Sequence, residues 1–366
     1  MVPKKKARAL RAALLAWYAH ARRDLPWRKT SDPYAIWLSE IMLQQTRVET
    51  VVSYYERFLA TFPTVRALAE APLDGVLAMW SGLGYYRRAR MMHAGARAVA
   101  EAGAFPANVE ELRRIPGVGA YTAGAIASIA FALPAALVDG NVARVFARLF
   151  AIEEDVRGGA GVARLWAVAD DLVSGVAEGR AGDWNQALME LGATVCVPRE
   201  PRCEACPVEL HCEARARGIA AELPRLKSKA PPVPVRRAAL VCVRNGRVLL
   251  ARRHTAGTFG GMWEPPSIDV ALDREDVVSW APSRFATLLG AGVRVGSLEE
   301  RGTITHVLSH RRMRVDVLQG AVSPGPTSAP VAGDYDRIEW VLLGELAQRG
   351  MTTLARKILR AADGAA

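Results

Sequence analysis

Four cysteines fall within one short run: Cys196, Cys203, Cys206 and Cys212, spaced C-x6-C-x2-C-x5-C in VCVPREPRCEACPVELHC. Four thiolates this close in sequence can converge on one point, as a metal ion or an iron–sulfur cluster requires. The fifth cysteine, Cys242, stands apart in the apolar run AALVCV. A cluster plus one buried stray is not the pattern of a secreted disulfide framework, so a reducing, cytoplasmic setting is expected, nucleoid-associated if the source is bacterial.

At 366 residues the chain is too long for one ordinary core, and two domains are expected. The net charge of +11 favours a polyanionic partner, most often nucleic acid. The start, MVPKKKARAL, is basic but lacks the apolar core of a signal peptide. The longest apolar stretch, Ala123–Val138, falls short of a membrane span and is interrupted by Pro134. No membrane segment is expected, and the chain is expected to be a monomer.

Residues 1–217 read as helical, with apolar residues at helical spacing in RAALLAWYAHARR and LWAVADDLV and short Gly or Pro punctuation between them. Residues 218–237, GIAAELPRLKSKAPPVPVRR, form a basic, Pro-rich linker. From residue 238 to 366 the pattern becomes mixed α+β. Ala238–Val243 and Arg247–Arg252 flank Asn245-Gly246, a strong hairpin signal. Further strands are predicted at Arg314–Leu318 and Arg337–Leu343, and helices at Asp273–Leu289 and Leu346–Ala361. Gly320–Gly333 reads as a loop.

In Leu112–Ala127, LRRIPGVGAYTAGAIA, a helix runs into Pro116-Gly117-Val118-Gly119 and a second helix begins. Gly117 and Gly119 allow a tight turn that aims backbone N–H groups outward, which suits a phosphate. The full pattern resembles the helix-hairpin-helix motif of DNA repair glycosylases. About twenty residues on stands Asp139, in LVDGNVARV, which fits both a helix N-cap and a catalytic carboxylate; the upstream hairpin favours catalysis.

The run Trp37–Thr46, WLSEIMLQQT, resembles the adenine DNA glycosylases of the MutY kind. So do Leu25-Pro26-Trp27-Arg28, Gly82-Leu83-Gly84-Tyr85-Tyr86 and Asn185-Gln186-Ala187, and the order of these motifs is the family's. The cysteine spacing matches the family's [4Fe–4S] loop, here residues 196–212, with a four-thiolate zinc site as the alternative. The resemblance implies that Glu40 is the general acid and Asp139 the carboxylate that stabilises the sugar cation, with Tyr121 and Asn141 positioning them. It implies that Trp27, Arg28 and Gln186 line an adenine pocket, and that Gln45 and Tyr85 wedge into the duplex once the base has left the stack. Endonuclease III resembles the same domain but carries a lysine nucleophile where this chain has Tyr121, and a phenol forms no Schiff base. Base removal without efficient strand cleavage is therefore expected.

Gly260–Pro266, GGMWEPP, after the hairpin resembles the Nudix fold. Nudix hydrolases hold magnesium with a glutamate-rich box; here Arg274-Glu275-Asp276 appears without the following glutamate pair. The resemblance implies a non-hydrolytic domain that reads 8-oxoguanine opposite the adenine. In the family a Phe-Ser-His loop probes that base, and Leu308-Ser309-His310 matches it with leucine in place of phenylalanine. Double-stranded DNA with 8-oxoguanine:adenine or guanine:adenine mispairs is the implied partner. A lyase, a damage-binding scaffold and a nucleotide hydrolase are the rival readings; Tyr121, the pair Glu40 and Asp139, and the incomplete box speak against them in turn.

Overall fold

The computed structural model describes residues 2–226, 230–324 and 333–363. Parts of the expected linker (227–229) and of the Gly320–Gly333 loop (325–332) lie outside the described residues. The chain forms two compact units: Met1–Glu70 with Ala94–Ser228, and Ala71–His93 with Lys229–Ala366.

The first unit is all-α. Its helices are α1 (Lys4–Ala21), α2 (Pro33–Leu43), α3 (Val48–Thr61) and α4 (Val65–Glu70). After α5 (Leu73–Trp80) and α6 (Arg87–Ala102) come α7 (Val109–Leu112), α8 (Ala120–Ile129), α9 (Gly140–Leu149), α10 (Gly159–Val173), α11 (Ala181–Thr194) and α12 (Glu213–Ala216). Residues from α1, α8, α9, α10 and α11 build one core around Leu14, Phe146, Leu172 and Trp184. The helix α2 is a different case. Asp32 caps it by accepting from Tyr34 and Ala35 N–H, with Pro33 in the first turn. Every residue from Tyr34 to Met42 is buried. A helix apolar on all sides has no solvent face, so any carboxylate on it is carried into the interior, and Glu40 is that carboxylate.

Two close approaches fix the backbone around the site. A Cβ on Gly124 of α8 would stand 1.9 Å from the Ala136 carbonyl oxygen, so α8 packs directly on the chain leading to Asp139. Asn185 of α11 is buried and its Nδ2 donates to Ser128 Oγ and the Ala135 carbonyl, both at 2.8 Å, holding the same segment from the other side.

In the second unit the strands are β1 (Val233–Val241), β2 (Val243–Arg244), β3 (Arg247–Arg253), β4 (Trp263–Glu264), β5 (Ser267–Val270), β6 (Arg294–Val307), β7 (Arg311–Ser323) and β8 (Tyr335–Leu342). One sheet has the order β5-β1-β7-β6; in the other, β3 pairs with β2, β4 and β8. Only β1 and β7 pair in parallel among the named strand pairs. Helix α13 (Val277–Leu289) joins one apolar core through Phe285, and α14 (Thr353–Ala362) the other through Ile358. Asn245 and Gly246 both take positive φ, as the predicted hairpin turn demands.

Several boundaries differ from the sequence reading. Strand β1 starts at Val233, inside the expected linker, because Val233 to Arg237 already pair with β7. The segment Ala71–His93 packs with the second unit, where Ser81 Oγ donates to the Met351 carbonyl and accepts from Met351 N–H. Residues 320–323 belong to β7 rather than to a loop. The helix expected over Leu346–Ala361 splits into a 3-10 turn, Leu343–Gln348, and α14, which Thr352 caps through Ala355 N–H. Among the described residues, no helix is long and apolar enough to cross a membrane.

Candidate active site

A pocket of about 660 Å³ opens in the first unit, lined by Trp27, Arg28, Glu40, Gln45, Tyr121, Asp139, Asn141 and Gln186, the sequence-predicted residues of this unit's base-handling site. Gln44, Arg23, Met189 and Glu190 also line it and were not singled out from sequence.

Glu40 is 5% exposed. Burial pushes its carboxyl up to about 7; the hydrogen bond from Tyr121 pulls it down, the charge of Asp139 pushes it up, and Arg28 pulls it down again. The Tyr121 hydroxyl donates to Glu40 Oε2, and Met189 Sδ lies 3.3 Å from the Tyr121 hydroxyl oxygen. Burial, followed by the two neighbouring carboxylates, drives the Tyr121 hydroxyl well above its ordinary range, so it stays a phenol and a donor. A carboxyl balanced near neutrality can hold a proton and then release it, as a general acid must.

Asp139 fills the N-cap role that its sequence position suggested. It caps α9, its Oδ1 accepting from Val142 N–H at 2.7 Å, while Oδ2 accepts from Asn141 Nδ2 at 2.9 Å. Burial raises its acidity range, and the bonds from Val142 and Asn141 and the charge of Arg144 oppose that rise. The capped oxygen also sits at the positive end of the α9 dipole, which favours the carboxylate form. Arg144 ties this arrangement to the cysteine loop. Its guanidinium donates to Asn141 Oδ1 at 2.8 Å, to the Gly192 carbonyl at 2.8 Å and to the Cys196 carbonyl at 2.8 Å. Gly192 is required at that crossing, since a Cβ there would stand 2.7 Å from Asn141 Cβ.

The four cysteines are half-buried and line one cavity of about 30 Å³ with Val145, Leu149, Leu191 and Val208. Burial pushes Cys206 up to about 12 and also raises Cys212, with the neighbouring thiols adding to both. Soft sulfur donors such as Cys206 and Cys212, whose ionisation burial opposes, suit a cationic group that compensates the thiolates. Among the described residues, no three His, Cys, Asp or Glu side chains are grouped around a single-ion position. Buried Arg148 fastens the loop: it donates to the carbonyls of Leu223, Val197 and Pro198 at 2.8, 2.7 and 3.0 Å, and to Cys196 Sγ at 3.4 Å. Arg148→Met keeps the length but strands these acceptors. We expect a loss of about 3 kcal/mol in urea unfolding; an unchanged value would contradict the clamp.

The remaining predicted residues divide by exposure and backbone. In the hairpin turn Gly117 takes φ +82, where only glycine is comfortable, while Gly119 is extended and caps α8; a Cβ on Gly119 would meet nothing within 4 Å. Gln45 is exposed with φ 59, and in the second unit Tyr85 is 48% exposed with φ 47. Left-handed backbone at two non-glycine residues is the kind of strain that accumulates at functional positions. Residues Leu308-Ser309-His310 form the turn between β6 and β7, closed by Leu308 N–H on the Arg311 carbonyl at 2.8 Å. Leu308 packs inward on the α14 core, leaving Ser309 and His310 exposed at the tip.

The sheet of this second unit holds Glu264 almost fully buried, accepting from the Tyr335 hydroxyl at 2.6 Å and Arg253 Nε at 2.9 Å. That carboxylate is committed to the domain's interior. Helix α13, VVSWAPSRFATLL, carries no acidic residue.

Two family models match in tandem: the HhH-GPD superfamily base excision DNA repair protein over residues 38–160, and the NUDIX domain over residues 237–361. Fold and site thus define a DNA glycosylase with an appended Nudix-like domain. The adenine DNA glycosylase of Homo sapiens is 36% identical over 97% of this chain and 74% of its own length. The chain belongs to the adenine DNA glycosylase family, hydrolases that act on N-glycosyl bonds in DNA. Among solved structures, a thermostable thymine-DNA glycosylase has a TM-score of 0.52 at 32% identity, covering 58% of this chain and 98% of that one. A non-covalent endonuclease III–DNA complex has a TM-score of 0.50 at 22% identity, covering 60% and 99%, a likeness of fold.

Proposed function

We propose that this enzyme removes adenine mispaired with 8-oxoguanine or guanine in duplex DNA, by hydrolysis alone, and leaves an abasic site. The observation that carries the reading is the pairing within one pocket of Glu40, poised near neutrality under Tyr121, with Asp139 held by Val142 and Asn141. Adenine leaves poorly unless protonated, and the sugar becomes an oxocarbenium-like cation. Glu40 delivers its proton to N7 of the adenine, and the glycosidic electron pair departs with the base. The Asp139 carboxylate stabilises the cation until water adds to the sugar carbon and yields its proton to the now ionised Glu40. Tyr121 fixes Glu40 and offers no amine for Schiff-base chemistry, so the strand stays intact. Trp27, Arg28 and Gln186 hold the flipped base, and the backbone of the Gly117–Gly119 turn takes a phosphate.

The four cysteines would hold a [4Fe–4S] cluster. Their placement around a cavity favours a cluster over one zinc, whose thiolates must converge at about 2.3 Å. Its contribution is structural, keeping the loop and its Arg199 and Arg202 in place for phosphates. Ser309 and His310 read the oxidised base from the exposed β6–β7 turn; Gln45 of the first unit is a residue that wedges into the duplex, and Tyr85 of the second unit is another. Glu264 and the acid-free α13 leave the Nudix-like domain without the carboxylates for magnesium-dependent hydrolysis.

The pH dependence tests the acid. Glu40 works protonated, and its range is raised, so on the alkaline side activity falls as pH rises through about 7. Single-turnover rates with 8-oxoguanine:adenine and guanine:adenine duplexes should both show this fall, with the oxidised pair faster. A rate that climbs through the same interval would assign Glu40 the opposite role.

A further inference from the structure

Glu190 is the most completely buried carboxylate of the first unit, with no exposed surface, and it lines the pocket that holds Glu40. Its oxygens accept from Arg23 N–H at 3.1 Å, Arg23 Nε at 2.8 Å and the Arg23 terminal nitrogen at 2.9 Å. They also accept from Arg28 at 2.6 Å. Arg28 is held further by the Arg23 carbonyl at 3.0 Å and lies 5.5 Å from the ring centre of Tyr18. We infer that Glu190 is a positioning residue: it holds Arg28 in the pocket wall and out of an ion pair with Glu40, so that Glu40 keeps the proton it must donate. The inference rests on the glycosylase reading above and deepens it.

The physical case is one of competition for a cation. Arg28 is permanently charged, and its charge already reaches Glu40 and pulls the carboxyl toward ionisation. An opposite charge within about 4–6 Å lowers a carboxyl by about 1–3 pH units, enough to leave Glu40 without its proton at neutral pH. Glu190 offers Arg28 a better partner. Burial alone would raise Glu190, but the bonds from Arg23 and Arg28 outweigh it and bring it to about 2, so it remains an anion wherever the enzyme works. Other charges face the network: Asp183 and Arg22 act on Tyr18, Glu49 on Arg23, and Tyr121 and Asp139 on Glu40. Of the carboxylates named here, Glu190 takes the hydrogen bond from Arg28. A buried ion pair is weak evidence for stability, because well-packed apolar residues often serve as well. Its place in the base pocket points to electrostatics instead.

The test is the pH profile of single-turnover adenine release by the full chain on an 8-oxoguanine:adenine duplex, from about pH 5 to about pH 9. E190Q should move the midpoint down by about one unit or more, so its deficit relative to the unsubstituted chain grows about ten-fold between acid and alkaline pH. E190D, which keeps the charge, should restore the midpoint. R28M/E190Q should restore it too, although release stays slow. A smaller folded fraction scales the amplitude and leaves the midpoint in place. Should E190Q turn over too slowly, the Glu40 carboxyl infrared band, assigned by its loss in E40Q, gives the midpoint without catalysis. An unsubstituted chain that releases adenine, with an E190Q midpoint equal to its own, overturns this inference alone. An unsubstituted chain that releases no adenine overturns the glycosylase reading and this inference with it.

Discussion

Glu40→Gln will slow single-turnover adenine release by about 10²–10⁴-fold, the usual worth of a positioned general acid, and will leave the fold intact. The amide is nearly isosteric, and its oxygen can still accept the hydrogen bond from Tyr121. What disappears is the dissociable proton. Stability should be unchanged or higher, because the wild-type carboxyl is carried into the interior of α2 at a cost that its raised acidity range records. A residue that the fold would be better off without is the mark of function placed against stability. Rate measured beside the thermal midpoint separates the two contributions. Full activity in the variant would remove Glu40 from the chemistry.

The second large effect is at Asp139, where one side chain does two jobs that two substitutions can separate. Asn is as good an N-cap as Asp, so Asp139→Asn should keep the bond to Val142 N–H and lose only the bond from Asn141, at about 1 kcal/mol. It removes the negative charge opposite the developing cation, and release should fall by about 10²–10³-fold, as when a preorganised electrostatic group is lost. Asp139→Ala should lose the same activity and about 1 kcal/mol of stability beyond that. If Asp139→Asn turned over normally, Asp139 would be a cap and nothing more.

The helical unit was readable because its stripes are strongly periodic and its turns carry Gly and Pro. The α2 run is apolar, but Glu40 on its own reads as a surface helix carboxylate, and its burial becomes visible only in the fold. Strand β6 was not readable: RVGSLEERGTITHV is mostly exposed, so it lacks the alternation of a half-buried strand. Leu308 matched a family loop position in sequence, yet it is drawn into the α14 core, a consequence of β6–β7 register that no local pattern contains. Glu190 and its arginines are 162 and 167 residues apart in sequence, so their pairing exists only in the tertiary fold. One local signal was present. Glu190 interrupts the buried stripe of Trp184, Ala187 and Leu188 on α11, and a charge on an apolar face calls for a partner. Arg148 gave the same signal on α9.

The most direct test of the account is to incubate the enzyme with a duplex carrying one 8-oxoguanine:adenine pair under single-turnover conditions, and to follow both free base and strand integrity. The account predicts release of adenine with the strand intact until alkali cleaves the abasic site. Tight binding without base release, or strand cleavage before alkali, would contradict it.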